Sequence, residues 1–469
     1  MKLWGGRFAH HRRDSHFEKF SESFSLDQRW IHYDLRVNRA YVKLLEKAGV
    51  IRANEVRSLT RGLDAIRHYV DSHPQWALRE SSEDVHTWVE GRLAKEVGAV
   101  AQKLRTGRSR NDLVATEARL YVKDSITGLQ GATLQLLRAL HDLGRRHNRV
   151  VMPGYTHLQP AQPILFAHYL LAYFEMLLRD WSRLEDCRAR ADELPMGSGA
   201  LAGASFPIDR ARLAQELGFA RVAQNSMDVT SDRDFICELL FVCSLTLTHL
   251  SRLAEDLVIY SSPGFGFVEL AEAYSTGSSI MPQKRNPDAM ELVRGKAARA
   301  LGKLTGMLAL MKGLPMAYDR DLQEDKAALF DGVDATRDSL DLAARVVGTL
   351  DIHPERMKAA MARGFLTATD IADELVRRGI PFALAHEQVG KLVRQCADRG
   401  KTFAELSAIE ARVCVPSWDT ALQEVANSPD NSLNRKSVVG GTAPIQVARQ
   451  IRRAGIILAR LERSLRKRK

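Results

Sequence analysis

Apolar residues recur along this chain at three- and four-residue steps over stretches far longer than an ordinary globular helix of about 11–12 residues. Five such stretches run from about Asp112 to Arg146, Pro163 to Glu193, Ser231 to Ser261, Pro287 to Lys312 and Gln323 to Leu350. In the third, Ile236, Leu239, Leu240, Cys243, Leu247, Leu250, Ala254 and Leu257 make the stripe, and Val242 and Leu245 widen it. So broad an apolar face needs several neighbours. The pattern predicts a mainly α fold: a long central helical bundle over residues 105–350, flanked by smaller, mostly helical domains at 1–104 and 351–469. It also predicts burial of those faces against further copies of the chain. No strand alternation is strong, although short hairpins fit near Pro195 to Pro207.

Three polar loops precede predicted helices: Thr106 to Asp112, Met152 to Pro160, and Gly277 to Pro287. In the last, Asn286 suits the N-cap, Pro287 the first helical position and Asp288 the first turn. The free amides of that helix start face a loop carrying Ser278, Ser279 and Lys284, which makes an anion site. Helices aligned in a bundle would bring such ends together.

Charge and composition narrow the partners. The formal net charge is +11, spread along the chain apart from a basic tail from Arg452 to Lys469. Ile456, Ile457, Leu458 and Leu461 mark an apolar side there, so the tail reads as a solvated helix end and not as a nucleic-acid surface. Diffuse positive potential favours a substrate with several carboxylates. The first residues carry no apolar signal core and no apolar run approaches membrane-spanning length, so a cytoplasmic location without a membrane partner is expected. Five scattered cysteines, Cys187, Cys237, Cys243, Cys396 and Cys414, have neither disulfide nor zinc spacing. Gly197 to Gly203 fails the dinucleotide fingerprint, and neither a Walker A sequence nor HExxH occurs. No cofactor and no metal are expected, which leaves side chains and loop dipoles to do acid–base chemistry.

Several runs carry a resemblance. Gly277-Ser278-Ser279-Ile280-Met281-Pro282-Gln283-Lys284-Arg285-Asn286-Pro287 is similar to the GSSxMPxKxNP signature of the fumarase/aspartase superfamily. With Trp4 to Phe8, Ser82 to His86, Thr106 to Asp112, Tyr155 to Gln162, Asn225 to Asp228 and Tyr318 to Lys326, the chain resembles the argininosuccinate lyases of that superfamily over nearly its whole length. The resemblance implies reversible elimination of fumarate from argininosuccinate, leaving arginine, in a homotetramer whose active sites draw on three subunits. It makes Ser278 the base, His157 the general acid or its relay toward the leaving nitrogen, and Glu291 the carboxylate that orients His157. Lys284 and Asn286 suit the developing aci-carboxylate. Substrate binding is expected of Asn38, His86, Arg110, Asn111, Thr156, Tyr318, Gln323 and Lys326.

The chain departs from the family pattern at three places. Val37-Asn38 stand where the family has Gly-Ser, Arg105 replaces a histidine, and Asp319-Arg320 replace Asn-Lys. Two other readings compete: a sister lyase acting on another succinyl-amine, such as adenylosuccinate or an aspartate-derived diamine, and a non-catalytic crystallin-like structural protein. Gln283 and the Tyr318 to Lys326 run weigh against the first; retention of Ser278, Lys284, His157 and Glu291 weighs against the second.

Overall fold

The computed structural model describes residues 14–362 and 364–468; the Trp4 to Phe8 motif lies outside them. After two short helices at Ser15–Phe20 and Phe24–Asp27 come α1 (Ile31–Lys47), α2 (Ala53–Ser72) and α3 (Val85–Val97). Next come α4 (Arg110–Arg146), a hairpin of β1 (Val151–Thr156) and β2 (Gln159–Leu165), and α5 (Phe166–Ala191). The remaining long helices are α6 (Asp234–Ser261), α7 (Asp288–Met311), α8 (Asp325–Gly348) and α9 (Pro444–Arg466). The fold is therefore the mainly helical bundle that the periodicity predicts, with α4 to α8 as its long members.

The described residues fall into two compact units. Unit 1 takes the chain up to Leu129 with Ser182–Ser244 and Arg299–Ala335; unit 2 takes Gln130–Trp181, Leu245–Ala298 and the chain from Thr336 onward. Every internal boundary falls inside a long helix, so α4 to α8 each contribute a segment to both units.

In unit 1, α1 to α3 close around Tyr41, Leu45, Leu59, Leu63, Ile66, Val89 and Leu93, joined by Leu113 and Leu120 from α4. Gly62 permits the approach of α2 to α3, because a Cβ there would lie 2.6 Å from Leu93 Cδ1. At the starts of α6 and α8, Arg233 donates to Asp325 at 2.5 Å with both side chains fully buried. In unit 2, residues after 365 pack around Ile371, Leu375, Leu392, Trp418 and Leu422, and a small cluster of Leu165, Ala167, Leu433 and Val447 joins the hairpin region to α9.

Several boundaries move from their predicted places. Residues 159–165 pair with 151–156, so α5 begins at Phe166 and not at Pro163. Near 195–207 there is no hairpin among the described residues; Glu193–Leu194 instead pair in parallel with Arg221–Val222. Asn286 pairs through its backbone with Thr276, so α7 starts at Asp288, and the Pro287 carbonyl accepts from Met290 and Glu291 in the capping position. On α9 the buried side runs through Ala454, Leu458, Leu461 and Leu465, leaving Ile456 exposed on another face. By length and composition α6 could span a membrane, contrary to the sequence expectation, but 61% of its most apolar window is buried inside the protein. All eight residues of its predicted stripe are buried, as is Val242.

The Arg233–Asp325 pair gives a stability test. Asp325→Ala strands a buried guanidinium and should cost about 3–5 kcal/mol, read as a lower denaturant midpoint. Adding Arg233→Met should recover much of that loss. A single variant as stable as the wild type would contradict the pairing.

Candidate active site

Unit 1 encloses a cavity of about 610 Å³ bordered by His86, Arg110, Asn111, Tyr318, Gln323 and Lys326. Those are six of the predicted substrate-binding residues, gathered from three separate runs of the chain. The remaining border comes from Ser23, Asp27, Arg108 and the 199–206 loop, among others.

The cavity wall hangs on Asp112. Its Oδ1 accepts from Ser109 N at 3.0 Å, and its Oδ2 accepts from Gly197 N at 3.0 Å and Gly199 N at 2.8 Å. One carboxylate thus ties the start of α4 to the loop after residue 196, while Asn111 Nδ2 donates to the Ala200 carbonyl at 3.2 Å. Burial raises the Asp112 pKa to about 6 although three backbone N–H groups favour its charge. Arg110, expected as a substrate clamp, is already engaged: it pairs with Asp84 and donates to Thr87 Oγ1 at 2.7 Å. It therefore fastens α4 to the start of α3, where Asp84 also caps the helix by accepting from Thr87 N at 2.7 Å.

Opposite lie the groups suited to anions. Lys326 is buried, 3.5 Å from Asp325, with its ammonium 5.1 Å from the centre of the Trp30 ring. Gln323 donates weakly to the Ser21 carbonyl at 3.4 Å, and Arg320 donates to the same carbonyl at 2.9 Å. Burial raises the Tyr318 pKa, so its hydroxyl stays protonated as a donor. His86 sits at the buried edge with Nδ1 bonded to Asp34 Oδ2 at 2.7 Å. Burial works against its charge, but Glu117 and Asp34 outweigh that and raise its pKa to about 10, so it is an imidazolium at neutral pH.

Sequence reasoning missed Ser23, Asp27 and Arg108. Ser23 Oγ donates to Asp27 Oδ2 at 2.7 Å, and Asp27 Oδ1 accepts from Val85 N at 3.0 Å. Burial raises the Asp27 pKa to about 6 against the pull of His86. The four-residue Ser–Asp spacing on one helical turn was the available signal. Asn38, by contrast, does not border the cavity. It is buried, its amide donates to Asp34 Oδ1 at 2.6 Å, and its carbonyl accepts from Arg108. Within the described residues Asn38 reaches the cavity through its bond to Arg108, a cavity residue.

The predicted catalytic residues lie in unit 2. His157 and Leu158 form the two-residue loop of the β1–β2 hairpin with φ of 55° and 58°. Such a loop demands positive φ at both positions, where non-glycine residues are strained, a cost that recurs at functional sites. The turn exposes His157 beside Thr156. Residues 277–285 form a second loop, closed by the Thr276–Asn286 bridge and by the Thr276 hydroxyl donating to Asp288. Within it, Ser278 Oγ accepts from Ile280 N at 3.3 Å and Met281 N at 3.1 Å. Lys284 is exposed and makes no ion pair among the described residues. Glu291 lies 3.8 Å from Arg294, and no hydrogen bond joins it to His157 within one chain. A larger cavity in unit 2, about 790 Å³, is bordered by Val151, Pro163, Met361, Phe365 and Phe403 among others. None of the predicted residues border it; six predicted substrate-binding residues border the smaller cavity, and the four predicted catalytic residues border neither.

Comparison with known proteins gives the family. A lyase family model matches residues 6–302, and an argininosuccinate lyase C-terminal model matches residues 365–434. The argininosuccinate lyase of Moorella thermoacetica is 45% identical over 99% of this chain and 100% of its own length, and that of Thioalkalivibrio sulfidiphilus 47% identical over 97% and 96%. Among solved structures, EDDS lyase in complex with formate superposes with a TM-score of 0.85 at 28% identity, covering 98% of this chain and 93% of that one. A class II fumarase from Schistosoma mansoni, 17% identical with a TM-score of 0.73 over 85% and 90% of the two chains, shares the fold. With whole-length relatives at this identity and the C-terminal model matched, the chain belongs to the argininosuccinate lyase family of the fumarase/aspartase superfamily.

Proposed function

We propose that this lyase cleaves argininosuccinate to arginine and fumarate, with the cavity of unit 1 binding substrate and catalytic loops supplied by other subunits. The gathering of His86, Tyr318, Gln323 and Lys326 around one cavity carries the reading. Together they offer cationic and neutral donors to the carboxylates of a succinyl group.

Ser278 takes the carbon-bound proton. A serine is a weak base as a hydroxyl, and the two backbone N–H groups donated to its Oγ favour the alkoxide it must become. The resulting carbanion spreads its charge into the neighbouring carboxylate, where Lys284 and Asn286 stabilise it. His157, oriented by Glu291, delivers or relays the proton to the leaving guanidinium nitrogen, and Thr156 binds substrate beside it. Side chains and loop dipoles carry every step.

The sites are completed between subunits of a tetramer. Ser278 is half-buried and Lys284 and His157 are exposed in the single chain, and α7 leaves Leu292, Leu301 and Leu308 uncovered. A cytoplasmic place in arginine biosynthesis, without nucleic-acid or membrane partners, belongs to the same reading; the burial of the apolar window of α6 supports it.

Ser278→Ala should keep helical content and assembly while turnover falls roughly 10²–10⁴-fold, the usual worth of a positioned acid–base group. Near-normal turnover would reject Ser278 as base. Mixing Ser278→Ala with His157→Asn protein, each inactive alone, should restore part of the activity after subunit exchange. Hybrid tetramers without recovery would mean that each site takes both residues from one chain.

A further inference from the structure

Behind the cavity of unit 1 lies a cluster that the proposed reaction does not use. Asp34 of α1, His86 of α3 and Glu117 of α4 each place one oxygen or nitrogen within 4.8 Å of the others, and all three side chains are at least 97% buried. Asp34 is engaged at both oxygens: Oδ2 accepts from His86 Nδ1 at 2.7 Å and Oδ1 from Asn38 Nδ2 at 2.6 Å, and each oxygen keeps a lone pair. Glu117 has Oε1 3.6 Å from His86 Nδ1, whose proton already goes to Asp34. Neither oxygen of Glu117 receives a hydrogen bond. A bare carboxylate without a donor, beside a second carboxylate, costs several kcal/mol inside a protein. A proton on Glu117, shared with Asp34, removes that cost.

We infer that Glu117, Asp34 and Asn38 are positioning residues that hold a two-proton, electrically neutral cluster of one carboxylic acid, one carboxylate and one imidazolium, and thereby fix the His86 ring and the Arg108 guanidinium at the cavity. His86 Nε2 is buried without a protein partner, and His86 borders the cavity. With Nδ1 held by Asp34, Nε2 is a fixed N–H donor for an incoming carboxylate oxygen. Asn38 extends the network to Arg108, which explains how an asparagine serves at this position without touching substrate.

The surrounding charges fit. Asp27 and Asp84 face the cluster from their own elements, Lys326 faces Asp27, and Asp84 is held by Arg110. Burial pushes the Glu117 pKa well above the usual carboxyl range, with His86 opposing and Asp34 reinforcing. Burial works against the His86 charge, and with Glu117 protonated it is the Asp34 hydrogen bond and the charges of Asp34 and Asp84 that favour the imidazolium. For a raised pKa of this kind the charged form is present below the shifted value and is lost as pH rises through it.

The role as a substrate donor rests on the proposed reaction, but the proton inventory does not, so it is read first on protein without substrate. In ¹⁵N-histidine spectra one imidazolium should persist at about pH 8, well above the ordinary 6.5, and vanish in His86→Asn. The infrared difference between wild type and Glu117→Gln at neutral pH should contain the C=O stretch of a protonated carboxyl group. Asp34→Asn should return His86 to ordinary titration and raise KM roughly 10–100-fold, with kcat changing less, as for loss of a charged hydrogen bond. A neutral His86 at about pH 7, no carboxylic-acid band, or a stoichiometric metal ion whose removal alters the histidine signals would each overturn the inference. Should a variant fail to fold, the wild-type histidine titration decides alone. Correct spectra with no cleavage of argininosuccinate would sink the proposed reaction and leave the cluster standing.

Discussion

One buried carboxylate makes the cavity possible. Asp112 accepts three backbone N–H bonds from two loops distant in sequence, and those loops form much of the cavity wall. Neither loop has regular structure to satisfy its own amides, so without Asp112 the Gly197 and Gly199 N–H groups would be buried and unpaired. The positive φ at both glycines, 94° and 62°, turns those amides toward one point. The start of α4 and the placement of Asn111 follow from the same joint.

Charge at the cavity obeys a related economy. A site for a substrate with several carboxylates needs positive groups that its own walls do not neutralise. Arg110 and Arg233 are spent on Asp84 and Asp325, holding elements together. His86, Arg108 and Lys326 border the cavity as Arg110 does, each held on its inner side by a neighbour. The proposed catalytic residues follow different rules. Ser278, Lys284 and His157 stand on loops fixed by a backbone bridge and a strained two-residue turn, where side chains can be presented outward.

Much of this was legible in the sequence because helix periodicity is local. The stripe from Ile236 to Leu257 is buried as its spacing demands. The β1–β2 hairpin escaped notice because its strands are rich in proline and glycine, which read as loop. Its register sets Pro153 opposite Pro163, a place where neither residue needs an N–H for the ladder. Asn286 shows a second limit: its side chain favours a cap, but its backbone is taken by Thr276, a contact ten residues away. Six residues that the resemblance nominates for binding gather at one cavity. The internal partners of Asn38 and Arg110 were not legible, because spacing reveals a side chain's chemistry and not which neighbour it bonds. Asp27, Asp34 and Glu117 gave little signal, since a buried acid looks like a surface acid until its surroundings are known.

The most direct measurement is fumarate release by the wild-type chain, followed by its absorbance, with argininosuccinate and adenylosuccinate offered separately. The account predicts equal amounts of fumarate and arginine from argininosuccinate and no release from adenylosuccinate. Fumarate from adenylosuccinate alone would make the chain a sister lyase on this fold. No release from either substrate, by folded tetramer, would contradict the assignment of catalysis to Ser278, Lys284 and His157.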